Sequence, residues 1–423
     1  MKRGGFLALS PLLVFLGVYL VSSFIARDFY KVPVVAAFLI ASGYALIFSK
    51  GTGIEEKIAV FSRGAGDHNV LLMIWIFVLA GVFAHTAREI GSIDATVACT
   101  LRVLPGKFIL VGLFIAACFI SMAIGTSVGT IVALVPIASG LAQGTGAPLA
   151  MITAAIVGGA FFGDNLSFIS DTTIAATRSQ GCSMADKFKT NIWIAAPAAI
   201  VVAVLYVLLG QGFSADAPAG EINYLLLAPY LAVIVLALFG MNVIGVLCIG
   251  ILLNAVLGLA LGKFGWTGFL SSAGAGVGNM GDLIIVTMLA GGLLEVIRVN
   301  GGIDYIINLL TRRISGKRGA EFSIAALVTL ANICTANNTV AIITTGSIAK
   351  DIASHFGVDP RESASILDTF SCVIQGVLPY GAQLLMASGL AGISVISIIG
   401  YLYYPLVLLG VACLAILLRF PRL

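Results

Sequence analysis

A helix needs about 17–25 apolar residues to cross the hydrocarbon of a bilayer. In this chain, runs of that kind recur near 6–25, 32–49, 69–87, 108–141, 149–177, 190–210, 223–239, 241–262, 280–298, 322–349, 363–390 and 391–418. The runs at 108–141, 149–177, 322–349 and 363–390 are interrupted by polar residues. Composition points the same way. Of 423 residues, 60% are hydrophobic and 10% charged, with a mean hydropathy of +1.09, against about 25% charged in soluble chains. Too little polar surface is left for solubility, so the chain reads as an all-α polytopic membrane protein of about 12 helical segments. No stretch alternates apolar and polar over the ~10 residues of a barrel strand.

The opening MKRGGFLALSPLLVFLGVYL has the charge and apolar run of a signal peptide. No small-x-small cleavage site follows, so it reads as an uncleaved first helix. Cys118, Cys248, Cys334, Cys372 and Cys413 lie in apolar stretches and read as buried free thiols. The net charge of +4 is spread over membrane-flanking loops and implies no nucleic-acid partner. Short Lys/Arg-rich loops stay cytoplasmic. This puts RRISGKRG (312–319) and RSQGCSMADKFK (178–189) inside, QGFSADAPAGEI (211–222) outside, and both termini inside a cytoplasmic membrane.

The chain repeats itself. FVLAGVFAHTAREIGSIDA (77–95) aligns with TMLAGGLLEVIRVNGGIDY (287–305), and Leu79, Gly81, Arg88, Gly91 and Asp94 match Leu289, Gly291, Arg298, Gly301 and Asp304. With one more residue of offset, IGTSVGTIVALVPIA (124–138) falls on TANNTVAIITTGSIA (335–349), Asp164 on Gln375, and Phe168 on Pro379. The division that follows is 1–68, N-terminal helices and an amphipathic loop; 69–210, first repeat; 211–278, outer loop and connecting helices; 279–390, second repeat; 391–423, a C-terminal helix. RRISGKRG is more basic than its counterpart TLRVLPGK (100–107), so the two repeats are expected to run in opposite directions, as in inverted-repeat transporters.

Each repeat carries a long apolar segment broken by small polar residues, GTSVGT (125–130) in one and CTANNTV (334–340) in the other. An unwound backbone survives at membrane depth only where protein buries it or a watery cavity meets it. There it offers carbonyls, hydroxyls, Asn oxygens and half-helix ends, ligands suited to a small hard cation such as Na⁺. Gly, Ser and Thr also allow close helix packing. Adjacent asparagines in hydrocarbon are too costly for that explanation alone.

GAFFGDNLSFISDTT (159–173) takes two aspartates into apolar surroundings, opposite QGVLPYG in the second repeat. A buried intramembrane carboxylate is functional by default. One that trades a proton for Na⁺ does the chemistry of an antiporter. Asp164 is the expected exchanging carboxylate. Asp171 either shares that role or caps a half-helix through the amides of Thr172 and Thr173. The expected Na⁺ ligands are Thr126, Ser127, Asp164, Asn337 and Asn338. Gly125, Thr130, Asn165, Ser167, Ser170, Thr172, Thr173, Thr335, Thr339, Gln375 and Tyr380 complete the candidate ion and substrate site. Glu295 and Arg298 lie three apart on one helix face and are expected to pair. No His/Cys/Glu spacing suggests a resident metal, and HExxH and P-loop motifs are missing. The expectation is a transporter rather than an enzyme, with Na⁺ and H⁺ as transported ions and no cofactor.

At Gly163, Asp164, Ser167, Ser170, Asp171, Thr172 and Thr173 the sequence resembles the NhaC-type sodium/proton antiporter family. VLAGVFAHTAREIGSIDA and ANNTVAI extend the resemblance over most of the chain. It differs at Phe168, where many relatives have proline. The resemblance implies two inverted repeats, each with a re-entrant hairpin and an interrupted helix, often in a homodimer. It also implies Na⁺/H⁺ exchange. The alternative, from the same family, is Na⁺-coupled symport or exchange of a small organic or amino acid, with half-helix amides near Asn338 or Ser127 holding the carboxylate. No Arg or Lys stands within the breaks, which favours the ion-only reading.

Overall fold

The computed structural model describes residues 6–26, 33–48, 53–168, 170–214, 222–311 and 314–420, and among them every regular element is helical. Among the described residues eight helical segments are long and apolar enough to cross a membrane, and four shorter apolar helices accompany them. Lys2, Arg3, Arg312, Arg313 and Arg422, used above to orient the chain, lie outside the described residues, as does 215–221 of the proposed outer loop.

The first half runs α1 (Ser10–Ala26), α2 (Val34–Phe48), α3 (Ile54–Ala65), α4 (His68–Glu89), α5 (Ser92–Val103), α6 (Ile109–Ile124), α7 (Ser127–Leu134), α8 (Ala138–Thr145), α9 (Leu149–Leu166), α10 (Asp171–Gln180) and α11 (Met184–Gly210). The second runs α12 (Ala228–Leu238), α13 (Val243–Ala260), α14 (Trp266–Gly278), α15 (Gly281–Val299), α16 (Gly302–Thr311), α17 (Gly316–Thr335), α18 (Asn338–Phe356), α19 (Pro360–Val377), α20 (Ala382–Ala391), α21 (Val395–Ile399) and α22 (Tyr403–Leu418), in the same order except that α18 answers to α7 and α8 together and α21 with α22 to α11. The recurrence therefore begins well before residue 69, since a short 3₁₀ turn leads into α1 as another leads into α12.

Backbone geometry repeats with the sequence. Left-handed glycines at 91, 146 and 181 return at 301, 357 and 392. The halves also touch reciprocally: Gly64 of α3 meets Gly291 of α15, while Gly276 of α14 meets Gly81 of α4. Such reciprocity, in which the same two patches exchange roles, is the mark of a twofold relation. α9 and α19 run through the centre, and nearly every residue of each is buried. Outer helices turn apolar faces outward, as α11 does with Trp193, Ile200, Val204 and Leu208. Cys118, Cys334 and Cys372 are buried as expected, but Cys248 is exposed and Cys413 half-buried, because they sit on the outer helices α13 and α22.

Candidate functional site

Both repeats break twice, with the same backbone each time. α6 ends on Gly125 in the left-handed region (φ 75°), and extended Thr126 (φ −148°, ψ 125°) leads into α7. α17 ends on Ala336 (φ 49°), and extended Asn337 (φ −146°, ψ 113°) leads into α18. The second breaks lie between α9 and α10 and between α19 and α20, where Ser167 and Ser170 in one copy and Leu378 and Gly381 in the other have extended backbone. Asp164 and Gln375 thus occupy equivalent places, one turn before each link.

Two glycines set the depth of Asp164. A Cβ built on Gly159 would lie 2.3 Å from the Phe114 carbonyl, and one on Gly163 2.4 Å from the Met122 amide. α9 therefore lies directly on α6 and delivers Asp164 beside the α6–α7 break. There Ser127 Oγ donates to Asp164 Oδ2 at 2.9 Å. Ser170 Oγ donates to the Asp164 carbonyl at 2.8 Å and accepts from the Thr173 amide at 3.2 Å. Ser170, rather than Asp171, is thus the cap of α10, since it is the extended residue preceding the helix. Asp171 is exposed, in the first turn of α10. Thr172 Oγ1 lies 3.1 Å from Ser170 Oγ. Ser167 ties its link to α6 through the Met122 carbonyl at 2.9 Å, and Thr130 Oγ1 donates back to the Thr126 carbonyl at 3.2 Å.

A cation stands in this neighbourhood, contrary to the sequence expectation. RSQGCSMADKFK was read as a loop, but α11 starts at Met184 and carries Lys187 inward at 1% exposure. The Lys187 ammonium pairs with Asp368 of α19, itself 0% exposed, and donates to the Asn165 carbonyl. It also donates to Thr173 Oγ1 at 2.9 Å. Asn191 Nδ2 donates to the Asn165 carbonyl at 3.0 Å and to the Asn165 side chain. Asn191 Oδ1 in turn accepts from Ser365 at 2.7 Å and Thr369 at 2.8 Å. This network joins the two halves across α9, α11 and α19.

A second polar chain joins the breaks. Gln383 Nε2 donates to Ser127 Oγ at 3.1 Å, and Gln375 Nε2 donates to Gln383 Oε1 at 2.9 Å and to the Ala336 carbonyl at 3.1 Å. Asp164, Ser127, Gln383, Gln375 and the CTANNTV turn are thereby continuous. Within that turn Asn337 Oδ1 accepts from the Val340 amide at 3.0 Å, Asn338 Oδ1 from the Thr339 amide at 3.1 Å, and Thr335 Oγ1 donates to the Asn337 carbonyl at 3.1 Å. Tyr380 Oη donates to the Ile333 carbonyl at 2.7 Å, its ring edge-on to Phe15 and Phe38. A cavity of about 330 Å³ opens onto this second break. Glu295 and Arg298 pair on its wall at 2.6 and 2.7 Å.

The Na⁺/H⁺ antiporter family model matches residues 6–211 and 218–421. The chain belongs to that family. The antiporter is 24% identical to the malate-2H⁺/Na⁺-lactate antiporter of Bacillus subtilis, over 96% of this chain and 93% of the relative. It is 20% identical to the Na⁺/H⁺ antiporter NhaC of Alkalihalophilus pseudofirmus, over 92% and 90%. Its similarity to the Alcanivorax borkumensis YdaH transporter has a TM-score of 0.43 at 14% identity, covering 97% of this chain and 98% of that one. It is a multi-pass membrane protein and a secondary transporter exchanging Na⁺ for H⁺.

Proposed function

We propose that Asp164 is the group through which Na⁺ and H⁺ exchange. One observation carries this: of the two carboxylates in the buried network, Asp368 has its own ammonium in Lys187, while among the described residues the Asp164 carboxylate takes its hydrogen bond from the Ser127 hydroxyl. Two carboxylates and one ammonium leave the cluster one positive charge short, and a buried charge is costly unless paired. A proton or a Na⁺ makes up that deficit, and each excludes the other. The cation's first oxygens are Asp164 Oδ and Ser127 Oγ, beside the Thr126 carbonyl. Asn337 and Asn338 lie one hydrogen-bonded bridge away through Gln383 and Gln375, and they complete the shell when the halves close on the ion. Asn165, Ser167, Ser170 and Thr173 hold the link in shape; exposed Asp171 takes no part in the exchange.

This reading places the antiporter in the cytoplasmic membrane with both termini inside, supported by the Lys/Arg-rich loops. The cavity at the second break favours a second reading, in which the chain also carries a small organic acid, in the manner of the Bacillus relative named for malate and lactate.

The test is dissipation of a pH gradient in proteoliposomes on adding Na⁺ with no organic solute present. Wild type moves protons, and Asp164→Asn does not. A flat trace from folded wild-type protein overturns the exchange reading, and full flux from Asp164→Asn overturns the assignment of the residue.

A further inference from the structure

Gln383 stands where the two copies touch, and its equivalent in the first copy bonds differently. α20 packs on α7, which brings Gln383, the second residue of one helix, to Ser127, the first residue of the other. Gln383 Nε2 donates to Ser127 Oγ at 3.1 Å, and Gln375 Nε2 donates to Gln383 Oε1 at 2.9 Å. The offset that pairs Asp164 with Gln375 also pairs Thr172 with Gln383 and Ser127 with Asn338. Thr172 is therefore the residue placed to reach Asn338. Threonine is shorter than glutamine, and the Thr172 hydroxyl lies 3.1 Å from Ser170 Oγ within its own copy. Asn338 Nδ2 accordingly has no hydrogen-bond partner among the described residues. One break is bridged from the opposite copy, and the other is not.

The cavity of about 330 Å³ lies at the unbridged break. Arg63, Asp67, Glu295 and Arg298 all stand on its wall, so its lining carries acids and bases together. A space this large and this charged has room for on the order of ten waters and fills with them. Its wall includes Gln375 and Gln383 but, among the described residues, neither Ser127 nor Asp164, which are 1% and 6% exposed. The cavity thus meets an amide whose other hydrogen bond is to the Ser127 hydroxyl.

We propose that this cavity is the aqueous entry to the exchange site and that Gln383 is its inner gate. A cation passes from the water to Ser127 and Asp164 when the Gln383 amide swings aside. Breaking that hydrogen bond frees the lone pairs of Ser127 Oγ, which accept it here, to meet the cation. A neutral side chain suits the position, since an acid would hold the passing cation and a base would repel it. The gate takes its destination from the exchange reading above and rests on it to that extent.

The test is thiol labelling of the purified full-length protein with 2-aminoethyl methanethiosulfonate. This small cation caps a thiolate as a mixed disulfide and releases methanesulfinate. Labelled positions are identified by peptide mass, which separates them from the native cysteines. Ala382→Cys puts a thiol on the cavity wall, and Asp164→Cys puts one behind Gln383. With Gln383 in place, position 382 is expected to react quickly and position 164 slowly. Adding Gln383→Ala is expected to speed position 164 about ten-fold, the effect of losing one hydrogen bond of about 1.4 kcal/mol, and to leave position 382 unchanged. No reaction at 382, equal rates at 382 and 164 with Gln383 in place, or an unchanged rate at 164 in folded Gln383→Ala would each overturn the proposal. So would equal acceleration at both positions, which is what general loosening produces. The comparison of 382 with 164 keeps Gln383, so it decides even where Gln383→Ala does not fold. Na⁺-driven proton flux by wild type tests the exchange reading separately, and its failure would leave the labelling contrast readable.

Discussion

Lys187 and Asp368 sit at 1% and 0% exposure, where neither can keep water as a partner. Their attraction offsets the cost of burying both, and removing one partner leaves the other charged in a dry interior, a change of about 3–5 kcal/mol. Lys187→Met and Asp368→Leu are each expected to lower the thermal unfolding temperature sharply, and the double substitution to recover most of the loss. Single variants as stable as wild type would mean that water reaches the pair. Ala336 holds a left-handed conformation (φ 49°) where its counterpart is Gly125. A Cβ in that region costs about 1–2 kcal/mol, so Ala336→Gly is expected to raise the unfolding temperature. At this scale the sequence was half legible. Asp164 stands out as an acid in an apolar run, and duplication finds its partner Gln375. The Lys187–Asp368 pair escapes the same search, because the equivalent positions are Ile398 and Val157. Lys187 also looks like one more loop charge until the start of α11 is known.

Helices, by contrast, were readable from their apolar runs and their interruptions, and their crossings were not. What decides the crossings is where backbones touch. A Cβ on Gly81 would lie 2.3 Å from the Gly276 carbonyl, and one on Gly64 2.3 Å from that of Gly291. Small residues allow this approach in membranes, where lipid is as apolar as leucine. Gly81→Val and Gly64→Val are expected to destabilise by about 1–3 kcal/mol or more through overpacking, read as loss of monodisperse protein on heating. Parallel losses at the two sites would reflect the twofold relation; tolerance of valine at either would remove that contact from the packing scheme. The helix carrying Asp368 makes a pH prediction. Asp359 and Glu362 form a capping box at the start of α19, and the hydrogen bond from Arg361 holds the Asp359 carboxyl below the usual carboxylate range. A depressed acid stabilises the folded state above its unfolded pKa and loses that contribution as pH falls through the folded one. Amide exchange in the first turn of α19 is therefore expected to quicken below the ordinary carboxylate range. The effect is modest, because the pair is partly exposed, and Asp359→Asn should remove the pH dependence.

Across the whole molecule the buried charges described are few: Asp164, Lys187, Asp368, and Glu321 near the start of α17. The central three sum to one negative charge when ionised. If the site visits the two membrane faces in turn, it travels neutral with a proton and neutral with a Na⁺, and only the empty form carries charge. A charged empty site is the one a hydrocarbon barrier disfavours, so it changes faces least readily. With Asp164 as the exchanging group proposed above, that asymmetry would disfavour slippage and tie each Na⁺ to one H⁺. Duplication fits the same scheme, since two similar halves in contact can exchange roles at little cost. Exchange is therefore expected to be electroneutral. In proteoliposomes with the membrane potential clamped by K⁺ and valinomycin, Na⁺-driven proton flux should be the same at zero and at strongly negative potential, and no transport current should accompany it. A current, or flux that changes steeply with potential, would require a second charge to move. Since Lys187 is the one ammonium in the cluster, Lys187→Met would then be the variant in which that current disappears.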